Sequence, residues 1–295
     1  MKIYYILLAA LMLTACKGKK TSFDASGAFE ADETIVSAEA AGVLKTFTVE
    51  EGQSLKAGDI TGYVDSLQLY LRKKQLETQI RAVLAQKPDI GVQLAALQTQ
   101  LKTAERESLR VSRLVKAEAA TQKQLDDISA QTDLIRTQIH AQQSALGITT
   151  ESINQQTAPL QVQIEQLNDQ LAKCRVINPV NGMVLTRYTA ASEMVNPGKP
   201  LYKIADLSQL ILRAYITGDQ LPQIKLNQQV KVMTDGPDGK YKEYTGVIQW
   251  ISDKAEFTPK TIQTKDERAN LVYAVKIKVK NDGYLKIGMY GEVNF

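Results

Sequence analysis

The chain has 295 residues, of which 44% are hydrophobic and 23% are charged, and its formal net charge is +4. This length and composition suffice for one large or two ordinary domain cores, and they exclude a collagen-like, a strongly acidic or a wholly disordered protein. The Lys and Arg residues are interleaved with Glu, Asp and Gln, so no nucleic-acid footprint is indicated.

The N-terminus has the pattern of a bacterial export signal. Lys2 precedes an apolar run over residues 3–13, which at about eleven residues is half of what spans a bilayer. The following Leu13-Thr14-Ala15-Cys16 resembles a lipobox, whose cysteine receives a lipid after cleavage. We therefore predict a signal peptide over 1–15, lipidation at Cys16 and then a polar tether. An ordinary secretory peptide with a chance cysteine is the alternative. The second cysteine, Cys174, is expected to be buried and inert.

Between Leu71 and Arg187 the chain contains no Phe, Tyr or Trp, and it is rich in helix-forming residues. Two series of core positions at a spacing of three or four residues run through it. The first comprises Leu69, Lys73, Leu76, Ile80, Val83, Lys87, Ile90, Leu94, Leu97, Leu101, Ala104, Ser108, Val111 and Val115. The second comprises Leu125, Ile128, Thr132, Ile135, Ile139, Gln142, Leu146, Thr150, Ile153, Thr157, Leu160, Ile164, Leu167 and Leu171.

The two series pair as the arms of an antiparallel coiled-coil hairpin if the chain reverses near Ala119 and Ala120. Because the first series keeps its phase through Pro88, we expect one long kinked helix in the first arm. The second arm is expected to be continuous through Gly147. Its division into shorter helices at Gly147 and Pro159 is the alternative.

The segments that flank this hairpin resemble each other at a constant offset of 140 residues. The matched positions include Gly42 with Gly182, Leu44 with Val184, Gly52 with Ser192, Leu55 with Val195, Gly58 with Gly198 and Val64 with Ile204. Both halves alternate apolar and polar residues between glycine-bearing turns, as expected for a small β-sandwich.

These halves resemble the biotinyl/lipoyl-like domain of the HlyD-type membrane fusion proteins, also called periplasmic adaptors, with the hairpin inserted between them. The family usually has Gly where this chain has Ser192, so the conformation of that turn is open. From Leu210 to Phe295, short runs rich in aromatic and β-branched residues predict the strands of a β-barrel. A short helix is expected to begin at Gly218–Leu221 and to close one end of the barrel.

The resemblance implies an α+β fold: a long α-helical hairpin inserted in a lipoyl-like β-sandwich and followed by a small β-barrel. The expected divisions are the signal peptide, the tether with a first barrel strand, the first lipoyl-like half, the hairpin, the second half and the barrel. Their bounds are 1–15, 16–33, 34–65, 66–173, 174–206 and 207–295.

Three residues match the family's hairpin-tip pattern of Arg, three residues, Leu, six residues and Ser or Thr: Arg110, Leu114 and Thr121. The resemblance implies that they contact an outer-membrane exit duct. Arg110 would donate to a helix end, Leu114 would fill a groove and Thr121 would cap the return helix. The alternative is that Arg110 is an ordinary solvated residue and that Thr121 only caps the return helix.

A barrel segment from Ala255 to Arg268 resembles the short adaptors that serve ABC exporters. The residues expected to contact the transporter or a neighbouring protomer are Phe257, Lys260, Lys265, Asp266 and Arg268. A plain connection between strands is the alternative.

No catalytic, metal or cofactor site is expected, because His140 is the only histidine and no Gly-rich nucleotide loop is present. The resemblance implies a periplasmic adaptor that links an inner-membrane transporter, expected to be of the ABC class, to an outer-membrane duct. The resemblance also implies that this chain self-associates, as a hexamer or a trimer of dimers. The alternative is an exported lipoprotein that binds a small molecule or metal. We expect inner-membrane anchoring, although Lys17 after Cys16 fits sorting to the outer membrane.

Overall fold

The computed structural model describes residues 23–237, 240–257 and 271–295, and within them it confirms a mixed α+β protein. The first five strands precede the helices: β1 (Ala25–Glu30), β2 (Glu33–Ser37), β3 (Gly42–Phe47), β4 (Ser54–Leu55) and β5 (Ile60–Val64). The helices are α1 (Leu67–Leu84), α2 (Ile90–Lys116) and α3 (Gln122–Lys173).

The first arm of the hairpin consists of two helices, so the expectation of one kinked helix was wrong. Helix α1 ends at Leu84, and the backbone N–H groups of Gln86 and Lys87 donate to carbonyls only three residues back. Pro88 lacks an N–H and disfavours the helical conformation of the residue before it, which prevents the helix from continuing. Asp89 then starts α2, since its Oδ1 accepts a hydrogen bond from the N–H of Val92 at 3.1 Å.

The second arm is one continuous helix of 52 residues, with Gly147 and Pro159 in its interior. The buried residues of the described helices all belong to the two predicted series: Leu94, Ala104, Thr132, Ile135, Leu146, Ile153, Thr157 and Leu167. Arg136 also joins the two arms, because its guanidinium donates to Glu105 at 2.9 Å. The predicted antiparallel pairing is therefore confirmed.

A sandwich of two four-stranded sheets flanks the base of the hairpin. Its later strands are β6 (Arg175–Ile177), β7 (Gly182–Arg187), β8 (Met194–Val195) and β9 (Pro200–Ala205). The sheet orders are β2-β9-β7-β4 and β6-β5-β3-β8. Each of β7, β8 and β9 begins 140 residues after its counterpart β3, β4 or β5. The internal repeat is therefore a repeat of structure. Cys174 is fully buried in this core, as expected, and burial raises the pKa of its thiol.

The remaining strands form a closed antiparallel barrel, in the order β10-β1-β15-β11-β12-β14 with β10 paired to β14. They are β10 (Gln209–Thr217), β11 (Gln229–Asp235), β12 (Tyr241–Ile251), β14 (Leu271–Lys280) and β15 (Tyr290–Asn294), while the short β13 (Glu256–Phe257) pairs with β14. Side chains such as Leu212, Val232 and Ile277 fill the interior. A single 3-10 turn, Leu221–Gln223, stands where the short helix was expected, and the adjoining Ile224 is buried in the barrel core.

Candidate partner-binding site at the hairpin tip

Both helices are capped where the hairpin reverses. After α2, Glu118 adopts a left-handed conformation with φ of 55°, and the N–H of Ala119 donates to the carbonyl of Leu114 at 2.8 Å. Together with the bond from the N–H of Glu118 to the carbonyl of Val115, this is a Schellman cap. The reversal therefore lies at the positions that the pairing of the two series predicted.

Thr121 begins the return helix through a reciprocal capping box. Its Oγ1 accepts a hydrogen bond from the N–H of Gln124, and the Oε1 of Gln124 accepts one from the N–H of Thr121 at 2.9 Å. These two bonds satisfy donors that the first turn of a helix leaves free. The predicted cap is present, and it fixes the end of the loop that leads into α3.

Arg110 lies on the last two turns of α2 and is 68% exposed. Its Nε and one terminal nitrogen donate to the two carboxylate oxygens of Glu107, at 3.0 and 2.5 Å. Hydrogen bonding to Arg110 lowers the pKa of Glu107. The contact within one helix holds the guanidinium plane on the surface of the tip, with donors left over for a partner.

Leu114 follows Arg110 by one helical turn, so the two side chains share a face of α2. Both line a groove of about 450 Å³ between the arms, together with Ala119, Gln124 and Asp127. Leu114 is 38% exposed. The structure therefore brings a cation and a half-buried apolar side chain to one groove, and Thr121 caps the helix that forms its other wall.

The second predicted site lies largely outside the described residues. Phe257 is in β13, where its backbone pairs with Leu271 of β14. The others, Lys260, Lys265, Asp266 and Arg268, lie outside the described part of the chain, as does Cys16.

Sequence reasoning missed Arg213, which faces outward from β10. One of its terminal nitrogens lies 3.2 Å from each carboxylate oxygen of Glu256, and the other lies 4.0 Å from Glu30. Arg213 alternates along β10 with the buried Leu212 and Ala214, but its partner on β13 is distant in sequence. The pair links β10 to β13 at the start of the predicted transporter-contact segment.

Within the described ranges, no helix combines the length and apolarity that crossing a bilayer requires. No protein-family model matches the chain. A UPF0194 membrane protein of Acidithiobacillus ferridurans is 28% identical over an alignment of 269 residues, and the alignment covers 84% of this chain and 79% of that protein.

Two solved structures share the fold. The membrane fusion protein Spr0693 from Streptococcus pneumoniae R6 has a TM-score of 0.54 and 19% identity, and the match covers 91% of this chain and 96% of that one. MacA from Actinobacillus actinomycetemcomitans has a TM-score of 0.52 and 22% identity, over 91% and 76% of the two chains. The described chain therefore has the fold of the membrane fusion proteins.

Proposed function

We propose that the protein is a periplasmic adaptor of a tripartite efflux or secretion system, which joins an inner-membrane transporter to an outer-membrane exit duct. The observation that carries this proposal is the doubly capped reversal that presents Arg110 and Leu114 in one groove at the end of the hairpin. The shared fold and the sequence similarity to a UPF0194 membrane protein support it.

The hairpin is suited to act as a spacer of fixed length. Its continuous arm has 52 residues, and at 1.5 Å per residue a straight helix of that length spans about 78 Å. The apolar seam and the pair between Arg136 and Glu105 keep the two arms in register. A contact made at the tip is thereby held far from the sandwich and the barrel.

Arg110 and Leu114 supply complementary contacts for a helical partner. The guanidinium donates to carbonyl or carboxylate oxygens, which are exposed at the C-terminal ends of helices. The apolar side chain of Leu114 enters a groove between two helices, and Thr121 holds the loop in its conformation. Several copies of the chain around one duct multiply such a contact.

The anchor and the inner-membrane partner complete the proposal. A lipid at Cys16 fixes the base at the inner membrane. The lipoyl-like sandwiches of several copies form a ring. The segment around Phe257–Arg268 meets an ABC transporter or a neighbouring protomer. The sequence resemblances given above support these assignments. The apolar core that fills the barrel interior gives no support to a small-molecule carrier.

Site-specific crosslinking in cells tests the tip. A photoreactive residue at position 114 is expected to capture an outer-membrane duct. The control is one at position 148 in the middle of α3, where Ile148 is 69% exposed and thus more accessible than Leu114. Capture of the same protein from both positions, or of none from position 114, would overturn the proposed role.

Two charge substitutions complete the test. Arg110→Asp and Leu114→Asp should each lower duct association by about tenfold or more, because each replaces a favourable contact by an unpaired negative charge. Arg81→Asp on α1 and Ile148→Asp are the controls with the same chemical change. The melting temperature of all four variants is expected to stay near that of the wild type, since these side chains contribute little to the core.

A further inference from the structure

A strip of three lysines runs along the outer face of the barrel. On β14 the residues that alternate with them are fully buried and face inward, namely Val275, Ile277 and Val279. The intervening side chains therefore point outward: Lys276, Lys278 and Lys280, hereafter the lysine strip. Successive members of the strip are about 7 Å apart along the strand.

Apolar and aromatic side chains lie beside part of the lysine strip, while Gln209 and Arg213 of β10 are in register with Lys280 and Lys276. Lys278 lies in register with Ile211 on β10 and with Val247 on β12. Lys276 lies beside Trp250, with its ammonium nitrogen 5.7 Å from the ring centroid. Trp250 is 41% exposed. The face thus combines cations with a partly exposed indole.

The charges of the strip are only weakly offset within the described chain, where the positive charge of Lys278 contributes to the lowered pKa of Asp206. No carboxylate of the described residues forms an ion pair with any of the three lysines. The neighbouring Arg213, in contrast, is paired with Glu30 and Glu256. The lysines are therefore free to meet an external anion.

We infer that this face of the barrel docks on the anionic phospholipid headgroups of a bilayer. The ammonium group of lysine binds phosphate as a point charge. Unlike the planar guanidinium of arginine, it needs no fixed orientation toward the anion. A tryptophan beside them suits the interface, because an indole places its apolar ring and its N–H at headgroup level. Each basic residue near an anionic membrane surface also adds to the electrostatic attraction.

The length of the tether favours a membrane over another occupant. This step rests on the lipid anchor proposed above. Only six residues separate Cys16 from Phe23, where the described chain begins, and they span at most about 25 Å when fully extended. The tether enters β1, and β10 alone separates β1 from β14. The start of β1 is level with Ala274 of β14, so Lys276 is the member of the strip nearest to the tether. A lipid on Cys16 would hold this end of the strip close to the bilayer surface.

Trp250 is the only tryptophan of the chain, so its fluorescence reports on this face directly. Residues 17–295 contain every described element, and this unlipidated chain is mixed with vesicles of phosphatidylcholine alone or with a third of phosphatidylglycerol. We expect sedimentation with the anionic vesicles and a blue shift of the emission, both reversed by salt. The anchor is tested separately by acyl labelling, so its failure is distinguishable from failure of this surface.

The lysine strip is then removed by changing Lys276, Lys278 and Lys280 together to Gln. Binding to anionic vesicles should weaken by about a hundredfold. The control replaces Lys74, Lys102 and Lys123 on the hairpin by Gln, which changes the net charge equally, and its binding should remain that of the wild type. Equal binding by the two triple variants, or a blue shift produced by the solubilised transporter and not by vesicles, would overturn the inference.

Discussion

Position 52 of the first half of the sandwich and position 192 of the second allow a reciprocal test of the internal repeat. Gly52 has φ of 82° and Ser192 has φ of 73°, so both occupy the left-handed region. The N–H of Gly52 donates to Val184 at 2.9 Å, and the N–H of Ser192 donates to Leu44 at 2.7 Å. The two turns have the same conformation and equivalent hydrogen bonds, although only one carries the residue that this conformation favours.

The expected free-energy change follows from the backbone alone. A side chain in the left-handed region costs about 1–2 kcal/mol relative to glycine, while glycine loses about 0.5–1 kcal/mol more conformational entropy on folding. Ser192→Gly should therefore stabilise the protein by about 0.5–1 kcal/mol. Gly52→Ser should destabilise it by the same amount, because a Cβ added at Gly52 meets no atom within 4 Å.

Thermal unfolding of the two variants and of the double variant measures these changes. A change of 1 kcal/mol shifts the melting temperature of a protein of about 150–250 residues by roughly 2–4 °C. The single variants should shift in opposite directions, and the double variant should melt near the wild type. A Gly52→Ser variant as stable as the wild type, or a destabilised Ser192→Gly variant, would refute the equivalence of the two turns.

Three further predictions concern the anchor, the barrel and the transporter segment. Cys16→Ser should abolish acyl labelling and leave unprocessed precursor; lipid incorporated into this variant would contradict the lipobox. A hydrogen bond from Lys242 lowers the pKa of Asp282 from 3.8 to about 2, so the stabilisation by this carboxylate is complete above its ordinary pKa and is lost as pH falls toward 2. Lys242→Met should raise that pKa toward 3.8 in an NMR titration, and an unchanged value would be the contrary result. Deleting residues 260–267 should impair export without lowering protein level; normal export would favour a plain strand connection.

Local periodicity predicted the parts of the fold in which each residue's position is set by its neighbours in sequence. The buried seam of the hairpin coincides with the two predicted series because side chains three and four residues apart share one helix face. The repeat was detectable because glycine-bearing turns recur at the same offset in both halves. Two members of the series, Lys87 and Gln142, are exposed, and Lys87 stands where the first arm breaks.

The features that sequence reasoning missed depend on local backbone chemistry or on distant partners. The phase of the first series continues from Val83 to Ile90 across Pro88, so phase alone did not reveal the end of α1. Glu118 occupies a left-handed cap position that usually carries Gly. The partner of Arg213, Glu256, lies on another strand, and no periodicity within β10 identifies it. The tip residues remain a prediction, made because a family pattern and the independent pairing of the arms coincided.

The nested order of the chain explains how one polypeptide separates the tether from the tip. Strand β1 pairs with β15, with Ala25 opposite Val293, so both ends of the described chain lie in the barrel. The sandwich is inserted between β1 and β10, and the hairpin is inserted between β5 and β6. Two chain segments thus connect the barrel to the sandwich, and two others connect the sandwich to the hairpin. Each junction is therefore more constrained than one crossed by a single linker. The reversal at residues 117–121 is consequently the part of the described chain that lies topologically farthest from the tether. The proposed tether at one end and the proposed partner groove at the other are what the adaptor function proposed above requires.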